Sequence, residues 1–239
     1  MEQLQAKRWL VLILLGAAQL MVTLDLTIVN VALPSAQKAL HFSAENRQWS
    51  LTAHALSFGS LLLGDLWGRK WTLIAGLIGF AIASAIGGLA ESFGVLVGAR
   101  ALQGVFGALL APSALSLLTL TFDNSPERQK AFGIFTAIAG SGASFGLLPG
   151  GALTQALSWR WSLYVNLLVA VPAAIAAFRL VPNMRAPRRP PIDMPGVLSS
   201  SGGLFAVVFG FSNAETNSWS APRTVQARVV GAVLLLASR

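Results

Sequence analysis

The feature that most constrains this chain is a series of apolar runs, each about as long as a bilayer is thick. An α-helix rises about 1.5 Å per residue, so about 20 apolar residues cross the hydrocarbon of a membrane. Backbone polar groups inside lipid are satisfied only in helices and closed barrels, and continuous runs of this length favour helices. We therefore predict an all-α, polytopic transmembrane helix bundle, with spans at 9–33, 48–63, 72–90, 95–121, 131–153, 162–181 and 196–213 and an eighth beginning near residue 224.

Composition supports a membrane location and excludes several kinds of site. Only 11% of the 239 residues are charged and 54% are apolar, whereas about a quarter of a soluble domain is charged. The chain has no cysteine, which excludes disulfides, thiolate nucleophiles and cysteine metal sites. Because the spans show no Ser/His, paired-Asp or His-Glu-x-x-His arrangement, we predict that the protein is not an enzyme and uses no cofactor.

The net charge of +8 is interpreted as a topology signal, because the cations lie in short loops between apolar runs. With the N-terminus inside, the predicted cytoplasmic segments contain Lys7, Arg8, Arg69, Lys70, Arg128, Lys130, Arg179, Arg185, Arg188 and Arg189. The opposite side contains fewer cations, which are Lys38, Arg47, Arg160, Arg223 and Arg228. This bias follows the positive-inside rule. It predicts a multi-pass protein of the plasma (inner) membrane with a cytoplasmic N-terminus and no nucleic-acid partner.

The domain organisation follows from the one long polar segment, residues 182–195. Its prolines disfavour helix and its arginines predict a position at the cytoplasmic surface. We therefore predict a six-helix transmembrane bundle at 1–181, a cytoplasmic Arg/Pro-rich linker at 182–195, and a seventh helix with the start of a truncated eighth at 196–239.

Asp25 lies deep in the first predicted span, where a charged side chain costs about 2.5–3.5 kcal/mol on insertion scales. Apolar surroundings disfavour the charged form of a carboxyl group, so we expect Asp25 to take up and release protons. The alternative is an Asp that only ties helices together through an ion pair. Asn30 follows at i+5 and adds a second polar group to the same span.

Arg100 lies near the start of the fourth predicted span, with Gln103 on the same helix face. One interpretation is that Arg100 extends to the membrane interface. The other is that its guanidinium faces the bundle interior and biases the protonation of a nearby acid. His54, in the second span, is interpreted as a hydrogen-bonded packing residue rather than a proton relay.

Glycines recur every four residues in the fifth predicted span, at Gly142, Gly146 and Gly150. This spacing predicts a smooth groove where another helix approaches closely. Pro149 and Gly151 interrupt the groove and favour a bend or a cavity. The turn before the third span has its own pattern, in which Asp65 can pair with Arg69 or cap the helix and Gly68 permits a tight turn.

Six short segments, taken in chain order, resemble motifs of the major facilitator superfamily, and more narrowly those of its proton-coupled multidrug exporters with fourteen spans. The similar segments are the first-helix signature at 24–34, half of a loop signature at 65–70, a fourth-helix motif at 100–108, an antiporter motif at 142–151, and the entries to helices six and seven at 159–166 and 193–196. The resemblance implies an N-terminal six-helix domain of that superfamily followed by one to two linker helices.

The resemblance also implies a mechanism and roles. Alternating access driven by the proton gradient would export amphipathic or cationic drug-like compounds, with no cofactor. Asp25 and Asn30, with Arg100 and Gln103, would couple protons to the substrate. A cytoplasmic gate would contain Asp65, Gly68, Arg69 and Lys70. The fifth helix would flex against the other bundle through Gly142, Gly146, Pro149, Gly150 and Gly151.

The sequence departs from the family pattern in three respects. Leu61 replaces a glycine of the loop signature, and Leu147 replaces a proline of the antiporter motif. The second span, at 48–63, would extend only about 24 Å. The chain also supplies one bundle, so a missing C-terminal bundle is the expected intramolecular partner. The alternative function is a truncated, non-transporting helix bundle that acts, if at all, as an interaction partner.

Overall fold

The computed structural model describes residues 2–60, 68–122, 125–182, 194–216 and 218–237. Within these ranges the chain is helical and contains no β-strand, as predicted. The helices are α1 (Glu2–Leu40), α2 (Ala44–Ser60), α3 (Arg69–Gly88), α4 (Phe93–Thr121), α5 (Ser125–Phe145), α6 (Leu147–Ala156), α7 (Trp161–Leu180), α8 (Met194–Thr216) and α9 (Pro222–Ala237).

Most helix boundaries lie close to those predicted from the apolar runs. The largest difference is α1, which continues through Pro34 to Leu40, seven residues beyond the predicted end. Proline removes one backbone donor, but Pro34 lies on the exposed side of the helix, where the freed carbonyl is not enclosed by protein. At the start of α4, Ser92 caps the helix by accepting a hydrogen bond from the Val95 amide at 3.4 Å.

The fifth predicted span is two helices. α5 and α6 meet at Gly146, and their axes differ by 44°. Pro149, in the first turn of α6, has no amide hydrogen to donate to the preceding turn, which weakens the helix at this point. The bend expected from the proline is therefore present.

Fewer helices than predicted meet the length and apolarity of a membrane span. Among the described residues four do, at Lys7–Leu40, Arg69–Gly88, Phe93–Thr121 and Trp161–Leu180, and the bent α5–α6 pair would be a fifth. The described part of α2 has only 17 residues and is more polar. In α8 the apolar stretch is the short segment Gly202–Phe211. Within the described ranges, length and composition therefore support four or five of the seven predicted spans.

The main core lies between α1, α3, α4 and α7, with the start of α5 packed beside them. Its fully buried side chains include Leu15, Leu73, Phe80, Leu117 and Phe122. A smaller cluster lies near the other end of the bundle and includes Val29, Leu33, Leu96, Trp159 and Leu163. Between these two apolar clusters lies the level of Asp25 on α1.

The last two helices form a hairpin that packs on α2. Gly203 and Gly231 allow α8 and α9 to approach closely, and Asn213 donates a hydrogen bond to the Thr224 hydroxyl at 2.8 Å. Trp49 of α2 contacts Phe209 of α8, with ring centroids 5.8 Å apart. Residues 183–193, most of the predicted linker, lie outside the described residues, as do its arginines and Asp193.

Candidate functional site

Asp25 and Arg100 form a buried ion pair between α1 and α4. Both side chains are fully buried, and Arg100 Nη1 lies 2.5 Å from Asp25 Oδ2. Arg100 therefore faces the interior of the bundle and does not extend to the membrane interface. Each charge compensates the other in surroundings where either alone would be costly.

Two amide side chains complete the hydrogen bonding of Asp25. Gln103 accepts from Arg100 Nη1 at 2.6 Å and donates from Nε2 to Asp25 Oδ1 at 3.1 Å. Asn166 of α7 donates to the same Oδ1 at 2.6 Å. Gln103 Nε2 also lies 2.7 Å from the Ser84 hydroxyl on α3. Side chains from α4 and α7 thus meet at the α1 carboxylate, and Gln103 links α3 to the same cluster.

The expectation that Asp25 lies in an apolar setting is wrong. Its carboxylate accepts hydrogen bonds from Arg100, Gln103 and Asn166, because a buried carboxylate is stable only when its oxygens are paired. Through these bonds, and the one between Gln103 and Ser84, the cluster links four helices.

Sequence reasoning missed Asn166 and Ser84. Asn166 offered a signal, since it is a polar residue within the otherwise apolar α7 and ends the segment that resembles the entry to helix six. Ser84 offered none, because a serine among alanines and glycines is common in membrane helices.

Three polar atoms beside the ion pair have no hydrogen-bond partner among the described residues. They are Arg100 Nε, Arg100 Nη2 and His54 Nδ1. His54 is buried on α2 against the rings of Phe58 and Phe80, as expected of a packing residue, but within the described part of the chain its Nδ1 lacks the hydrogen bond that the sequence interpretation included. The spare guanidinium donors leave Arg100 able to bind a second acceptor without first leaving Asp25.

Asn30 is not part of this cluster. It is five residues from Asp25, which turns it about 140° around α1, and it is exposed together with Leu26 and Pro34. Thr27, between them, bonds to the carbonyl oxygens of Thr23 and Leu24 in its own helix. The grouping of Asn30 with Asp25 in one site is therefore not found in this arrangement of helices.

The glycine groove of α5 and α6 is covered by α1. A Cβ atom added at Gly142 or Gly146 would overlap the Thr23 or Thr27 side chain, and one at Gly150 would lie 3.0 Å from Ile28 Cα. Close packing within the bundle explains these three glycines. The other two motif residues are Gly151, where an added Cβ would meet nothing within 4 Å, and Pro149, which is exposed.

The predicted gate loop is only partly described, since Asp65 and Leu61 lie outside the described residues. Gly68 has a φ of 91°, a conformation that favours glycine, as the predicted tight turn requires. Arg69 begins α3. Lys70 donates from Nζ to the Phe178 carbonyl oxygen of α7 at 2.7 Å and lies 5.2 Å from the centre of its ring.

Comparison with known proteins identifies the family. Residues 15–238 match the Major Facilitator Superfamily. The chain belongs to this superfamily. The resemblance drawn from the sequence motifs is thus confirmed at the level of the superfamily. The chain is a membrane protein of a transporter family and not an enzyme, as the sequence predicted.

Relatives within the superfamily include named resistance and export proteins. The chain is 47% identical over 236 residues to the puromycin resistance protein of Streptomyces alboniger, covering 97% of this chain and 47% of that protein. It is 36% identical to the cephamycin export protein of Amycolatopsis lactamdurans, covering 95% of this chain and 48% of that one. It is 33% identical to a multidrug efflux pump of Mycolicibacterium smegmatis, covering 90% and 44%. The chain thus spans about half the length of the curated relatives it matches.

A solved structure shares the superfamily fold. It is a bacterial homolog of the human lysosomal transporter Spinster in an inward-facing, unoccupied conformation, with a TM-score of 0.60 and 19% identity. The match covers 97% of this chain and 60% of that chain. At this identity the likeness shows the helix arrangement alone.

Proposed function

We propose that this chain forms the first six-helix bundle, with two following helices, of a proton-coupled exporter of amphipathic or cationic drug-like compounds. The observation that carries the proposal is the buried cluster in which Asp25 is held by Arg100, Gln103 and Asn166. A charged pair buried in a membrane bundle is costly to maintain, and such residues commonly belong to ion or substrate pathways.

Under this proposal Asp25 is the proton carrier. Binding of a proton weakens its attraction to Arg100, whose remaining donors then become available to another acceptor. Because partners of Asp25 come from α4 and α7, the change at one carboxylate alters contacts between three helices. Such a change can bias the rocking of one bundle against another that alternating access requires.

The relatives support export as the direction and drug-like compounds as the cargo. Three of them are named for puromycin resistance, cephamycin export and multidrug efflux. The chain spans about half of their length. We therefore propose that a further six-helix bundle forms the other side of the transport path. The α8–α9 hairpin on α2 fits the pair of linker helices of the fourteen-span type.

The proposed orientation has the N-terminus in the cytoplasm. The bundle end that holds the start of α1, the start of α3 and the end of α7 carries Lys7, Arg8, Lys70 and Arg179. The positive-inside rule assigns such an end to the cytoplasmic side. The lipid bilayer, protons and the exported compound are then the partners.

Dye accumulation in inverted membrane vesicles tests the proposal. The chain is co-expressed with the part of the puromycin resistance protein that it does not match, and uptake of the cationic dye ethidium is followed after a proton gradient is applied. We expect gradient-dependent accumulation that is lost in Asp25→Asn. The control is Glu127→Gln, which removes a surface carboxylate that pairs with Arg8 at 3.7 Å and should leave uptake unchanged. Absence of uptake with correctly inserted protein would favour the non-transporting helix bundle.

A further inference from the structure

A basic cleft lies at one end of the bundle, between α1, α3, α4 and α7. Its volume is about 500 Å³, and Lys7, Arg8, Lys70 and Arg179 line it together with apolar side chains such as Leu120 and Val181. The cleft is separate from the Asp25 cluster, none of whose residues lines it. Its mixed lining suits a ligand that has both a charged and an apolar part.

Two of the four cations are already engaged. Arg8 pairs with Glu127 at 3.7 Å, and Lys70 donates to the Phe178 carbonyl oxygen. Lys7 and Arg179 are exposed at the cleft and have no ion-pair or hydrogen-bond partner among the described residues. The C-terminal ends of α4 and α7 also lie at the cleft, and cations interact favourably with the negative end of a helix dipole. That interaction does not use their ammonium and guanidinium donors, so the cleft retains an excess of positive charge.

Aromatic side chains mark the depth of this cleft in the membrane. Trp71 and Phe178 pack edge to face, with centroids 6.2 Å apart, and both are largely exposed. Lys70 lies over the Phe178 ring. An exposed tryptophan beside lysine is typical of the headgroup level at the boundary of a membrane protein. The basic cleft therefore lies where phospholipid headgroups are found.

An apolar groove continues from this level toward the middle of the membrane, along the contact between α3 and α7. Its volume is about 360 Å³ and its lining is entirely apolar, including the exposed side chains of Ile78, Ile82, Val171 and Ile175. Ile78 is eight residues from Lys70, or about 12 Å along the helix, and Ile175 is four residues from Arg179, or about 6 Å. Along both helices the groove therefore lies farther from the cationic end of the bundle than the cleft does, about two turns away on α3 and one turn away on α7, and no residue lines both.

We propose that the cleft and the groove form one binding site for an anionic phospholipid. Its phosphate lies between Lys7 and Arg179, and one acyl chain occupies the groove between α3 and α7. Charge complementarity selects an anionic headgroup over a zwitterionic one, because each cation near a membrane surface contributes roughly a fivefold preference for anionic lipid. The site does not depend on the proposed transport activity.

Lipid binding to the purified chain tests this site. Delipidated protein in a nonionic detergent is titrated with dioleoylphosphatidylglycerol or dioleoylphosphatidylcholine, and retained lipid is counted by native mass spectrometry. We expect the anionic lipid to bind at least tenfold more tightly. Lys7→Ala with Arg179→Ala should weaken its binding by roughly 25-fold and leave phosphatidylcholine unaffected. The control, Lys38→Ala with Arg223→Ala, removes two cations from the predicted opposite side and should change neither affinity.

Two further arms separate the lipid from a free anion. Val171→Trp fills the apolar groove from its exposed lining and should weaken binding of both lipids, since the acyl chain loses its place. Inorganic phosphate at equal concentration should not displace phosphatidylglycerol. Equal binding of the two lipids, an unchanged preference in the Lys7/Arg179 double variant, or displacement by phosphate would each overturn the proposal. Circular dichroism of every variant checks that the bundle is folded, and dye transport is not needed for any readout.

Discussion

The side-chain amide of Asn166 on α7 donates a hydrogen bond of 2.6 Å to Oδ1 of Asp25 on α1. The two residues are 141 positions apart in sequence, yet both are buried at the same level of the bundle. The other carboxylate oxygen faces Arg100 of α4. One carboxyl group therefore joins three helices.

Removal of either partner of the ion pair should destabilise the bundle. Asp25→Asn or Arg100→Gln leaves the remaining charge buried without its counter-ion, at a cost of about 3–5 kcal/mol. The double variant should be more stable than either single variant, since no uncompensated charge remains. Thermal or denaturant unfolding in detergent gives this double-mutant cycle. If both single variants unfold within about 1 kcal/mol of the original chain, the pair does not hold the helices together.

Asn166 and Asn30 provide a matched comparison. Asn166→Leu should cost about 1–3 kcal/mol, because Asp25 Oδ1 would lose its shortest hydrogen bond and stay buried. Asn30→Leu should change stability by less than about 0.5 kcal/mol, since Asn30 is exposed and outside the cluster. Unfolding midpoints of the two variants, measured in the same detergent, test the difference. Equal effects would contradict the arrangement of side chains around Asp25.

Gly146 and Gly151 provide a second matched pair. Gly146→Ala should destabilise by about 1–3 kcal/mol, because the new methyl group would overlap Thr27 of α1. Gly151→Ala meets no neighbouring atom, and alanine favours helix over glycine by about 0.5–1 kcal/mol. The second variant should therefore be neutral or slightly more stable. The opposite order of unfolding temperatures would show that the groove does not face α1.

The proposed orientation can be tested with single cysteines, because the chain contains no cysteine of its own. Ser43 and Gln129 are both exposed, and they lie at the predicted outer and cytoplasmic ends. In intact cells, a membrane-impermeant maleimide should label Ser43→Cys and should label Gln129→Cys only after permeabilisation. Labelling of Gln129→Cys alone in intact cells would reverse the assigned topology.

Much of the fold could be predicted, because a membrane span leaves a long local signal. The starts and ends of α3, α4 and α7 lie within about three residues of the apolar runs that predicted them. A bend or a cavity near Pro149 was also expected, and the structure has a bend there. The predicted span at 48–63 extends past the described part of α2, which ends at Ser60 and is both short and polar.

The sequence pointed to Asp25, Arg100 and Gln103 among the members of the candidate site, and it missed the others. Asp25 and Arg100 were conspicuous because charge inside an apolar run is costly and rare. Asn30 was grouped with Asp25 through the family resemblance, but the rotation of α1 turns it away from the cluster. Asn166 and Ser84 became part of the site only through the packing of α7 and α3 against α1 and α4.

The amino-acid sequence by itself determined the helical class, most of the helix boundaries, the membership of the superfamily and the presence of a costly buried charge. These properties depend on local composition and on motifs of a few residues, which each segment carries independently. Only the tertiary structure decided which groups pair with Asp25, that the glycines of α5 and α6 contact α1, and that four cations share one cleft. Such contacts join residues as many as 141 positions apart, and they depend on the rotation and depth of each helix, which the packing of the whole bundle sets.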